Sequence, residues 1–222
     1  MKILTVDVGN SSVDLCLYEE DFTYLGKFSH AEVPKVEADL VLVSSVKPSF
    51  EKHLKYTYSD ARFFKSEEIP VRTAFEGKER VGIDRLLNIY GALRLYGQNL
   101  MVVSAGTALV VDLVIDGVFM GGFIAVGIGS GLDCLYRRAE LIPEVKLREL
   151  KVSIGTNTEE ALLGGAINQA VYFLRGCLSA WEREYGKELK VVITGGDGWL
   201  LERMGVYDPL LIHKAMVFLA GF

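Results

Sequence analysis

The chemistry-bearing residues of this 222-residue chain gather in short glycine-containing turns. Val6-Asp7-Val8-Gly9-Asn10-Ser11-Ser12 lies between two strand-like runs, KILT and VDLCLYE. Gly9 lets the backbone approach a ligand closely, and the N–H groups of Asn10, Ser11 and Ser12 suit phosphate oxygens in a turn-type nest. The turn carries no lysine of the P-loop kind. Asp7 is an acid where a phosphate is expected, which makes sense when a divalent cation such as Mg²⁺ lies between the two. Alternatively, Asp7 and Asn10 merely shape a hairpin. Ser104-Ala105-Gly106-Thr107-Ala108-Leu109 has the same form, with Thr107 as a phosphate donor or simply part of a β-turn. In Thr194-Gly195-Gly196-Asp197-Gly198 the glycines admit a flat base or ribose, or else start a helix.

Gly82-Ile83-Asp84-Arg85 opens an amphipathic segment. Asp84 is either a favourable charge on a helix N-terminus or a general base toward a substrate hydroxyl, with Arg85 binding a carboxylate or phosphate. His30, His53 and His213 show no metal-ligand spacing and receive no role. The absence of a GxSxG elbow and of a Ser/His/Asp order speaks against a hydrolase.

The elements that must position these turns follow from periodicity. Strands are expected at 2–8, 12–18, 23–29 and 40–46. A helix follows over Val81–Gly97, with Ile83, Leu86, Leu87, Tyr90 and Leu93 on one face. Strands resume at 100–104, 107–115 and 118–125, the last two joined by Asp116-Gly117. A short helix is expected around 130–140, and a long one from the Asn157 cap to Gly186. A strand at 190–194 and a helix after Pro209 complete the pattern. Gly164, Gly165 and Gly176 each cost a helix about 1 kcal/mol relative to alanine, which implies close helix packing, including across a dimer interface. Each half opens with a hairpin whose turn carries glycine and hydroxyl residues, so the pattern suggests two related α/β lobes, 1–98 and 99–222, facing one another across a cleft.

Composition narrows the class. Half the residues are apolar, enough for a sizeable core. The balance of 24 Lys plus Arg against 29 Asp plus Glu, a net charge of −5, lacks the basic footprint of a nucleic-acid binder. Cys16, Cys134 and Cys177 form no metal or redox motif and read as buried thiols of a reducing compartment. No apolar run approaches the roughly 20 residues of a membrane span, so neither membrane nor nucleic acid is expected as a partner.

In order, DVGNSS, GIDR, the SAGTA strand pair, GGFIAVG, IGTNTEEAL and TGG resemble type III pantothenate kinases from residue 3 to the C-terminus. The resemblance implies an α/β fold of two duplicated RNase H-like lobes of the actin-like ATPase and sugar kinase superfamily, with mixed sheets flanked by helices. It also implies a cytoplasmic homodimer that phosphorylates pantothenate with ATP at the first step of coenzyme A synthesis, using a divalent cation such as Mg²⁺ and a monovalent one, K⁺ or NH₄⁺. By matching motif, Asp7, Val8, Gly9, Asn10, Ser11, Ser12, Val13 and Asp14 bind ATP, with Asp7 near Mg²⁺ and Thr107 adding a phosphate contact. Gly82, Ile83, Asp84 and Arg85 bind pantothenate, with Asp84 as general base; Thr158 and Phe75 fall at further substrate positions. The chain departs from the family at three places. Ser104 replaces the aspartate that ligates the monovalent cation, with Asp112 a partial substitute; Phe75 replaces a tyrosine; Val126 replaces a proline. The departures leave open a nucleotide- or metabolite-binding regulatory protein of the same fold, and the fold alone admits another small-molecule kinase or a phosphatase.

Overall fold

The computed structural model describes residues 1–222. The chain divides into two compact units, Met1–Leu95 with Leu210–Phe222, and Tyr96–Pro209.

The first unit begins with β1 (Ile3–Val8), β2 (Val13–Tyr18), β3 (Phe22–Phe28) and β4 (Leu40–Ser45). Next come α1 (Pro48–Thr57), the two-residue strands β5 (Arg62–Phe63) and β6 (Arg72–Thr73), and α2 (Ile83–Tyr96). The sheet order is β3-β2-β1-β4-β5. β1 is antiparallel to β2 and parallel to β4, so the sheet is mixed. β1 is central and reads as the near-continuous apolar run such a position demands, with Ile3, Leu4, Val6 and Val8 fully buried. Alternate residues of β1, β2 and β4 pack with Phe50 and Leu54 of α1 on one face. Sequence periodicity missed α1, because its apolar face is short; Pro48 in its first turn is the remaining start signal.

The second unit contains β7 (Leu100–Ala105), β8 (Ala108–Ile115), β9 (Val118–Val126), α3 (Ile128–Arg138), α4 (Thr158–Tyr185), β10 (Lys190–Thr194) and β11 (Val206–Tyr207). Its strands are ordered β11-β10-β7-β8-β9, with β10 parallel and β8 antiparallel to β7. The β8–β9 hairpin turns at Asp116 and Gly117, both with positive φ (47° and 74°), the type I′ geometry their sequence signals. α4 starts where Asn157 accepts a hydrogen bond from Glu160 N–H and ends at Gly186 in the left-handed conformation. Its inner face packs on Met101, Val103, Leu109, Val111 and Leu113 of the sheet. The segment after TGGD forms a 3₁₀ helix, Gly198–Met204, in place of an ordinary helix.

α5 (Leu211–Leu219) then returns to the first unit. It crosses α2 where a Cβ on Gly91 would lie 3.1 Å from Leu211 O and from Ala215 Cβ, so that glycine sets the separation of the two helices.

Two further expectations change. Of the α4 glycines only Gly164 is tightly packed: a Cβ there would meet Val152 Cγ2 at 2.8 Å, while Gly165 and Gly176 face open space. Within the chain the close partner of Gly164 is thus the segment that precedes α4, not a helix. Cys134 is exposed, because the face of α3 that meets the core carries Ile128 and Leu132.

Candidate functional site

Asp7 stands in the middle of the first sheet, and register decides its surroundings. It lies directly across from Asp14 on β2 and from Ser44 on β4. Like charges in opposed positions repel. Burial raises the Asp7 pKa from an ordinary 3.8 to about 7; the Asp84 and Asp14 carboxylates raise it too, and the Ser44 hydroxyl and Lys27 oppose them. Ser44 Oγ is buried and makes no well-formed hydrogen bond of its own, which leaves an oxygen available beside the carboxyl. Asp14 is held by Tyr24 Oη at 2.5 Å and by Lys27 Nζ at 3.8 Å. The turn Gly9–Ser12 joins β1 to β2 and is closed by Gly9 N–H donating to Ser12 O at 2.9 Å.

Asp84 sits in the first turn of α2 and its side chain folds back over Gly82. A Cβ on Gly82 would lie 2.5 Å from Asp84 Oδ1, so glycine is needed for the carboxylate to take this position. Burial raises the Asp84 pKa, and the Arg85 N–H and guanidinium act against that rise. A carboxyl with a raised pKa, electrostatically coupled to a second, half-buried carboxyl, is the pattern of an acid–base site.

In the second unit three glycine stretches meet at the β7–β8 turn. Gly127 N–H donates to Thr107 O at 3.1 Å, and a Cβ there would strike Gly106 O. Gly195, with φ of 88°, packs so tightly on Ala105 that a Cβ would be 2.3 Å from its carbonyl oxygen. Asp197 donates its N–H to Ala105 O at 3.0 Å and accepts from Gly129 N–H at 3.4 Å. SAGTA, the end of GGFIAVG and TGGD therefore form one backbone cluster, with Thr107 at its turn. Ser104 and Asp112 share the sheet face turned away from α3 and α4: Asp112 pairs with Val102, one position diagonal from Ser104. No three His, Cys, Asp or Glu side chains form a group able to hold a metal by themselves.

The sequence profile of the type III pantothenate kinase family matches residues 3–180. The chain is 42% identical to a type III pantothenate kinase of Aquifex aeolicus over 222 residues, 97% of this chain and 96% of that one. The chain belongs to the type III pantothenate kinase family. Among solved structures, a Campylobacter jejuni protein described as a Baf family transcriptional activator is similar with a TM-score of 0.68 at 22% identity, covering 97% of this chain and 96% of that one. An activator of 2-hydroxyisocaproyl-CoA dehydratase from Clostridium difficile, with bound ADPNP, is similar at a TM-score of 0.54 and 12% identity, covering 97% and 92%. These two likenesses concern the fold, two mixed sheets flanked by helices as in actin-like ATPases.

Within that family pattern, the motif residues fall into local groups. Asp7 to Asp14 and Gly82 to Arg85 belong to the first unit, while Ser104, Thr107 and Thr158 belong to the second. Thr158 is exposed as the first residue of α4. Phe75 is 36% exposed, its N–H bonded to Thr73 Oγ1 at 2.8 Å. Val126 continues β9 opposite Ala108. Sequence reading missed Ser44, His30 and Lys47. His30 Nε2 lies 3.0 Å from Gly9 O, and Lys47 Nζ lies 3.4 Å from Asn10 O. Ser44 and Lys47 are brought there by the parallel pairing of β4 with β1, and His30 by the path of the chain beyond β3, none of which a local pattern encodes. His213 also has a role in the fold: it is buried under β1, its Nδ1 2.8 Å from Thr5 Oγ1.

Proposed function

We propose that the chain transfers the γ-phosphoryl group of ATP to the primary hydroxyl of pantothenate, with Asp84 as general base. Family membership supports the reaction, and the electrostatic coupling of a raised Asp84 with Asp7 supports the role of the base. The Gly9–Ser12 turn presents backbone N–H groups to the phosphates, and Thr107 adds a hydroxyl contact to them. Asp7 and the free oxygen of Ser44 are hard donors that fit Mg²⁺, an ion commonly held by one or two carboxylates, waters and substrate phosphates. Bound there, Mg²⁺ supplies charge neutralisation for the transferring phosphoryl. Asp84 accepts the hydroxyl proton, Arg85 takes the pantothenate carboxylate, and Phe75 and Thr158 complete the substrate contacts. Val8, Val13 and Asp14 belong to the ATP-binding stretch, and Gly82 and Ile83 to the pantothenate-binding one.

In this reading Ser104, helped by Asp112, is the weakened monovalent-cation position for K⁺ or NH₄⁺. On the same reading, which rests on family membership, the protein acts as a cytoplasmic homodimer. Asp84→Asn tests the base. Phosphopantothenate formation should fall by a factor of about 10² to 10⁴ with ATP binding retained. Unchanged turnover removes Asp84 from the mechanism.

The neutral oxygen of Ser104 favours one second reading, a regulatory protein that binds ATP and pantothenate without reaction. Calorimetric binding of both, with no product in K⁺, NH₄⁺ or Na⁺, would select it.

A further inference from the structure

The turn that begins at Gly9 has a cation of its own. β4 runs parallel to β1 with Ser45 beside Val8, and Val46 N–H donates to Val8 O at 3.0 Å. The chain leaving β4 therefore passes the end of β1 where the turn starts. Pro48 keeps the preceding Lys47 out of the helical region, at φ −130° and ψ 80°. From there the Lys47 ammonium reaches Asn10 O at 3.4 Å and His30 Nδ1 at 3.3 Å. His30 arrives from the end of β3, and its Nε2 lies 3.0 Å from Gly9 O. A carbonyl only accepts, so Nε2 carries the proton and Nδ1 offers its lone pair to Lys47. The imidazole is further fixed edge-on against Phe50, with ring centroids 5.0 Å apart.

Two of the three ammonium hydrogens are thus used to hold the charge at the turn, and one remains. Lys47 forms no ion pair, whereas Lys27 of the same unit is matched to Asp14 at 3.8 Å. The surroundings call for positive charge, since Asp7, Asp14 and Asp84 already raise the cost of placing further anions nearby.

We propose that Lys47 binds the phosphate oxygens of the nucleoside triphosphate with its remaining N–H, and that His30 is the positioning residue that aims it. The glycine turn needs no lysine of its own because the cation comes from the segment between β4 and α1. This rests on the reading of Gly9–Ser12 as the phosphate turn. It adds to that reading a residue, and a preference for ligands bearing a phosphate chain over the bare nucleoside.

The test is calorimetric titration of Mg²⁺-ATP and of adenosine into wild type, Lys47→Met, Lys47→Arg, His30→Ala and His30→Gln, with ATP and pantothenate KM measured in parallel. Lys47→Met should weaken ATP about 10- to 100-fold, the range of a charged hydrogen bond, and leave adenosine binding and pantothenate KM unchanged. Lys47→Arg should retain most of the affinity. His30→Ala should raise ATP KM about 3- to 10-fold with little change in kcat, and His30→Gln, whose amide can donate to Gly9 O and accept from Lys47, should recover it. Unchanged adenosine binding certifies that each variant is folded. An ATP-to-adenosine ratio in Lys47→Met equal to that of wild type overturns the assignment while sparing the turn. A wild type that binds ATP no more tightly than adenosine refutes the phosphate turn, and the role of Lys47 with it.

Discussion

Asp7→Asn should make the protein more stable while abolishing its chemistry. In the fold the Asp7 carboxyl has a pKa of about 7 against an ordinary 3.8. Between those values the folded state holds a proton that the unfolded chain releases, so stability falls as pH rises through this window. At about 1.36 kcal/mol per pH unit, the ionised carboxylate costs the fold about 4 kcal/mol at neutral pH and less than half of that at pH 5. Asparagine has nearly the same shape and no charge, so it escapes the cost. Urea unfolding of wild type and Asp7→Asn, in EDTA and at half-unit steps from pH 4 to 8, measures the difference. The two midpoints should coincide near pH 4 and separate by about 1 M urea at pH 7.5, taking a slope of about 3 kcal/mol per M. Mg²⁺-ATP should narrow the gap by binding only the wild-type fold tightly. Parallel pH profiles for the two proteins would refute the account of Asp7 as a destabilised carboxylate. The result would place Asp7 among residues whose strain serves function, where gains in stability come at the cost of activity.

Burial lowers the His213 pKa from 6.5 to about 4, so its contribution is complete above pH 6.5 and fades as pH falls toward 4, by up to about 3 kcal/mol. His213→Phe should flatten that acid limb in thermal unfolding scans between pH 4 and 7. Ser104→Asp supplies a charged oxygen on the face it shares with Asp112, and should increase the stimulation of phosphopantothenate formation by K⁺ over Na⁺. Gly195→Ala forces a Cβ against Ala105 O at a φ of 88°; it should cost about 1–3 kcal/mol in chemical denaturation and raise the ATP KM.

The sequence made the local pieces legible. Asp116-Gly117 announced its hairpin, Asn157 its helix, and the ordered motifs pointed to the family, because each signal lies within a few adjacent residues. Pairings between distant strands were hidden. Whether Asp7 neighbours Ser44 or another residue depends on which strand lies parallel to β1, and hydrophobic pattern does not choose among buried partners. His30 and Lys47, 21 and 37 residues from the turn carbonyls they meet, were invisible because nothing local to them points at the turn. The backbone cluster of Gly127, Gly195 and Ala105 was half legible: the glycines marked close approach, but nothing in their spacing said what approached.

The return of α5 to the first unit bears on the order in which the protein can be made. Thr5 sits on the first strand and gives its hydroxyl proton to Cys16 O, so it accepts from His213, 208 residues later. During synthesis β1 and β2 emerge early, yet the layer that covers them through α5 does not exist until residues 211–219 have been translated. The second unit, continuous from Tyr96 to Pro209, is complete sooner. The usual progression from N-terminal to C-terminal domain is therefore reversed here. The face of this sheet opposite α1 therefore stays uncovered for most of elongation, and the nascent chain must keep that surface from other partners until α5 arrives.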